Sequence, residues 1–111
     1  MPRYYITLPD PAKARGGDPA LSFSALGAEA FAQQLQDALT GTGLFERWKA
    51  RLADPDEATA AMAATDPTAR VKGIQHEAHV DLECDTVIAS QVLRQRLSLL
   101  AGNGWQLRDV T

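Results

Sequence analysis

The run that decides the fold is IQHEAHVDLEC, residues 74–84. Ile74, His76, Ala78, Val80, Leu82 and Cys84 alternate with Gln75, Glu77, His79, Asp81 and Glu83. Side chains leave a strand on opposite sides with period two. The alternation therefore predicts a half-buried strand, with the apolar set on the core and three carboxylates and His79 facing out. A helix would scatter both sets around its circumference. Gly73, just upstream, is where a bulge or bend would divide residues 70–84 into two strands. The sheet has four strands with that division and three without it.

Downstream the period changes. Val92, Leu93, Leu97, Leu99 and Leu100 fall on one side of a helix, with Gln91, Arg94, Gln95 and Ser98 on the other. Ser90 is the expected N-cap, because its hydroxyl can accept from a free first-turn amide. Gly102, followed by Asn103 and Gly104, suits the left-handed C-cap. Arg96 lies inside the apolar arc, and its stem is expected to pack while its guanidinium snorkels to water. Trp105 and Leu107 then alternate with Gln106 and Arg108 in a short last strand, with Val110 on the second face. Strand, helix and strand make a right-handed crossover when the two strands run parallel.

Upstream, residues 3–8 read as a first strand, with Tyr4, Ile6 and Leu8 on one face and Arg3, Tyr5 and Thr7 on the other. Pro9 and Pro11 end it. Residues 10–19 carry Lys13, Arg15, Gly16 and Gly17 among prolines and aspartates. No strand runs straight into the glycines and no helix opens from them, so a solvated loop is expected rather than a phosphate cradle. Phe31, Leu35 and Leu39, flanked by Ala28, Ala32 and Ala38, predict a helix that Ser24 starts and Gly41 ends. Leu44, Trp48 and Leu52 predict a second helix, opening near Thr42 or Gly43. Asp54-Pro55-Asp56-Glu57 is a helix-start signal for a short alanine-rich helix reaching Ala64, and Asp66-Pro67 stops it.

A chain of 111 residues is expected to form a single α+β domain, residues 1–111. A net charge of −3 argues against nucleic-acid binding, which needs a basic surface to displace counterions. One cysteine excludes an internal disulfide and fits a reducing cytoplasm. The first residues lack the apolar core of a signal peptide, and no apolar run approaches the roughly 20 residues of a membrane helix. No membrane partner is expected.

His76, Glu77, His79, Asp81, Glu83 and Cys84 resemble a metal cluster in composition. Strand period speaks against it, because His76 and Cys84 point one way and the other four point the opposite way. No metal and no cofactor are expected. No catalytic residue is assigned either: no serine sits in a Gly-x-Ser-x-Gly elbow, and Cys84 and His76 are too far apart along a strand to hydrogen-bond. Tyr5, Glu77, His79, Asp81, Glu83 and Arg108 are expected to share the outer sheet face and form its binding surface. RNA-binding sheets stack bases on central-strand aromatics, whereas the matching positions here are acidic and repel phosphate.

The expected architecture is a two-layer α+β sandwich, with helices on one face of the sheet. Its order matches the ferredoxin-like pattern of connectivity, βα(α)ββαβ, or a three-stranded variant, with extra helices in the first crossover. The expected function is non-enzymatic: binding a protein partner, or forming a homodimer, through the polar sheet face. The alternative is a dimeric α+β-barrel enzyme or small-molecule binder, with His79, Tyr5 and Asp81 lining the cavity.

Overall fold

In the structure, a computed structural model that describes residues 2–54 and 60–111, period-two apolar patterning becomes strand and 3.6-period patterning becomes helix. The order is β1 (Arg3–Leu8), α1 (Ala28–Thr40), α2 (Gly43–Ala50), β2 (Arg70–Gln75), β3 (Val80–Asp85), α3 (Ser90–Ala101) and β4 (Gln106–Val110). The four strands form one antiparallel sheet in the order β2-β3-β1-β4. Tyr4, Ile6, Leu8, Val80, Leu82 and Cys84 leave its inner face. They pack against Phe31, Leu35 and Leu39 of α1 and Leu93, Leu97 and Leu100 of α3 in one continuous core. Thus the expectation for Val80 and Leu82 holds: both are fully buried.

The run of residues 74–84 is not one strand, so the three-stranded variant is excluded. The division falls at residues 76–79 and not at Gly73, which lies inside β2. The turn is closed by a bond from the His76 amide to the His79 carbonyl (3.0 Å). Gln75 pairs with Val80 and Ile74 with Asp81, so even positions of β2 face odd positions of β3. Ile74 therefore lies on the carboxylate side of the sheet, contrary to expectation, and His76 and Ala78 are exposed in the turn. Gly73 has a different role. A Cβ there would overlap the Ala28 carbonyl oxygen, so its bare backbone lets the start of α1 lie against β2.

Neither predicted serine caps its helix. Gly27 precedes α1 with extended backbone, and Ser24 instead exchanges hydrogen bonds with Gln34. The free Ala28 amide donates to Gln75 Oε1 (3.2 Å), a cap supplied by a strand. Ser90 is the first residue of α3, after Ala89, while Gly102 does close that helix with φ of 59°. The loop at residues 10–19 is not simply solvated. Ala14 is fully buried, and Arg15 lies 5.6 Å over the Phe31 ring and donates to the Ala25 carbonyl (2.6 Å). Leu21, Phe23 and Ala25 beyond it belong to the core, with Phe23 edge-on to Phe31 at 5.0 Å. The helix expected from Asp54 onward falls mostly outside the described residues; residues Ala60–Ala63 form a 3-10 turn.

Two buried polar groups fasten the end of α1. Arg96 does not reach water. Only 2% exposed, it donates to the carbonyls of Ala38 (3.1 Å), Met62 (3.0 Å) and Ala64. Ala38 O is among the last carbonyls of α1, where a cation complements the helix dipole. Asp66, 3% exposed, gives its own amide to the Leu39 carbonyl (2.8 Å). Its carboxylate accepts from the Thr68 hydroxyl (2.6 Å) and amide, the Thr86 hydroxyl (2.9 Å) and the Val87 amide (3.0 Å). Those donors, Thr68 first, hold its pKa at about 2, against an ordinary 3.8.

Replacing Asp66 by Asn sets an NH2 group against donors and should cost about 1–3 kcal/mol in urea unfolding. The folded pKa lies below the unfolded one, so the ionic stabilisation is present above 3.8 and lost as the pH falls towards about 2. The gap between wild type and Asp66→Asn should narrow over that interval. Gly73→Ala should cost about 1–3 kcal/mol by the same measurement, because the added methyl overlaps the Ala28 backbone.

Candidate functional site

Among the described residues, α1 and α3 pack against the inner side of the sheet and no helix covers the other side. The register assigns the outward side chains. Arg70, Lys72 and Ile74 come from β2, opposite Asp85, Glu83 and Asp81 of β3. Arg3, Tyr5 and Thr7 of β1 stand on the far side of those same three carboxylates. Each row across the three strands is thus centred on an acidic residue. Asp85 accepts from the Arg3 guanidinium at 2.7 and 3.2 Å, and this partner keeps it below the usual carboxylate range and raises Arg3. Lys72 is opposite Glu83. Both groups of the Arg3–Asp85 pair are partly solvated, so it aligns charge more than it stabilises.

The third row differs. Asp81 is flanked by Ile74 and Thr7, neither of them a cation. The Thr7 hydroxyl donates to its Oδ1 at 2.7 Å. Its Oδ2 lies 2.9 Å from His76 Nε2 and 3.7 Å from His79 Nε2. The imidazole rings stack, with centroids 4.2 Å apart and planes 12° from parallel. Partial burial works to raise the Asp81 pKa, but the Thr7 bond and the two imidazoles outweigh it and leave it lowered. The turn creates this cluster by carrying His76 out of the strand period and back over His79.

Of the residues expected on the binding face, Tyr5, Asp81 and Glu83 stand together on it, each half-buried. His79 sits at its edge in the turn, against Asp81. Glu77 is exposed in the same turn, apart from the sheet face. Arg108 is displaced by a bulge: β4 pairs Leu107 with Ile6 and Asp109 with Tyr5, leaving Arg108 as the extra residue. The same bulge sets Val110 opposite Tyr4 on the inner side, contrary to expectation. Arg108 is exposed and donates to Gln106 Oε1 (2.9 Å). It lines a shallow groove of about 240 Å³ with Thr7, Pro9, Ala78, His79 and Gln106.

Three contributors escaped the sequence reading. By strand alternation His76 falls with the apolar set. Arg70 and Lys72, which with Arg3 supply the cations of the face, lie upstream of the alternating run 74–84. A signal was present in the two histidines three apart between two runs of strand-forming residues, a spacing that fits a turn as well as a strand.

The chain matches no known protein family, no curated protein and no solved structure. Among the described residues no helix is long and apolar enough to cross a membrane.

Cys84 lies on the covered side of the sheet and takes no part in the face. Burial, reinforced by Asp85 and Asp66, pushes its thiol up to about 12. Native protein should resist iodoacetamide at neutral pH over hours, and protein unfolded in urea should be labelled within minutes at that one site, as mass spectrometry would read.

Proposed function

We propose that the chain is a non-enzymatic binding domain of ferredoxin-like topology whose uncovered sheet face receives a second copy of itself. The order β2-β3-β1-β4, with helical crossovers from β1 to β2 and from β3 to β4, supports that topology. The observation that carries self-association is the arrangement of charge. Arg70 and Lys72 form a cationic column on β2, and Asp81, Glu83 and Asp85 an anionic column beside it on β3. A two-fold axis running along the strands between these columns lays each copy's cations over the other's carboxylates. Such an interface is isologous, built from the same patch on both copies.

Tyr5 and Ile74, both half-buried, add apolar area within the charged field. A small-molecule reading would need Tyr5, His79 and Asp81 to converge on one cavity. The groove beside His79 includes neither Tyr5 nor Asp81, which favours the association reading. A cytoplasmic setting fits the lone buried thiol.

Sedimentation velocity over a concentration series tests this. A concentration-dependent dimer is expected. Tyr5→Ala and Lys72→Glu should each weaken it by roughly tenfold or more, with monomer melting little changed, and adding Glu83→Lys to Lys72→Glu should restore it. A wild-type monomer at the highest soluble concentration, or an unweakened dimer in a well-folded Tyr5→Ala variant, overturns the reading.

A further inference from the structure

We propose that His76, His79 and Asp81 form a Zn²⁺ site at the turn between β2 and β3, with three protein ligands and a fourth position for water. This goes beyond self-association and does not depend on it. Each of the three residues offers one ligand atom, and these atoms lie within 4.8 Å of one another. Tetrahedral zinc with bonds of about 2.0–2.1 Å sets its ligand atoms about 3.4 Å apart. The spacings from Asp81 Oδ2 to the two Nε2 atoms, 2.9 and 3.7 Å, bracket that value. The stacked rings must open by rotating about their side-chain bonds. Both side chains are about two-fifths exposed (41% and 39%), so the turn has room for it.

Three features favour a metal over a simple hydrogen-bonded cluster. The donor set, two imidazoles and one carboxylate, is a recurring one where zinc has three protein ligands and an open position. The carboxylate is oriented from behind, because Thr7 holds Oδ1 and thereby turns Oδ2 to the imidazoles, as outer partners of metal ligands do. Charge is also left over on the acidic column. Asp85 and Glu83 have arginine or lysine opposite them, whereas Asp81 has Ile74 and Thr7. A bound dication would supply the missing positive charge. The backbone bond between His76 and His79 fixes both ligand positions before any ion arrives. The partial exposure of all three ligand side chains leaves the fourth position open to solvent.

Untagged, EDTA-treated protein titrated with ZnCl2 in a calorimeter tests the site. A single saturable equivalent is expected. His76→Ala, His79→Ala and Asp81→Asn should each weaken binding by about tenfold or more, and Thr7→Val by less, with unfolding midpoints of the metal-free variants checked alongside. Because the chain has only two histidines, a second readout needs no variant. The imidazole proton resonances of wild-type protein should both shift on Zn²⁺ addition and stop at one equivalent. No saturable binding, undiminished binding in His76→Ala, or movement of one histidine alone overturns the proposal.

Discussion

Pairing of Gln75 with Val80 across a four-residue turn sets how the sheet, its helical cover and its outer face fit together. Side chains alternate, so a slip of one residue would exchange the two faces of β2. The observed register places Val71, Gly73 and Gln75 over the core side. Each then meets a specific need: Val71 adds to the core, Gly73 admits the start of α1, and Gln75 caps it. The same register turns Arg70, Lys72 and Ile74 outward to meet the three carboxylates of β3. Core, helix cap and charged face are consequences of one pairing.

The helical layer is fixed to that sheet by polar contacts as well as by apolar packing. Asp66 and Arg96 both lie near the C-terminal end of α1, where helix carbonyls lack partners. Arg96 reaches there from α3 and Asp66 from the chain leading into β2. Asp66 also holds Thr86 and Val87, which link β3 to α3. A buried charge with all its bonds made tolerates little displacement, since each lost bond leaves a desolvated group unpaired. These two side chains therefore set where α1 ends relative to the sheet. Burial also lowers the pKa of Arg96, the cost of holding a guanidinium away from water.

The segment between β1 and α1, whose one regular piece is a 3-10 turn at Pro11–Lys13, performs a related task. Residues 14–25 place Ala14, Leu21, Phe23 and Ala25 in the core. Ser22 donates to the Leu100 carbonyl (3.3 Å), and the Phe23 amide donates to the same oxygen (2.8 Å). Gly16 and Gly104 allow this segment to lie against the end of α3, because a Cβ at either would strike backbone. The glycines of residues 16–17 are thus partly explained by close packing rather than by an anion.

The period-two pattern of residues 3–8 and 80–84, and the helical pattern of residues 28–40 and 90–101, determined by themselves that this is an α+β chain with one greasy and one charged sheet face. Burial follows side-chain direction, and direction follows backbone period, so those elements are legible without coordinates. Tyr5, Asp81 and Glu83 stand on the outer face for that reason. The tertiary structure alone decided where the long alternating run breaks. A strand and a turn both accommodate histidines three apart; the antiparallel pairing of Arg70–Gln75 with Val80–Asp85 requires the turn. That break joined His76 to His79 and moved Ile74 to the outer face. Only folding could show that Arg96 meets carbonyls and not water, because its partners are 32 to 58 residues away along the chain.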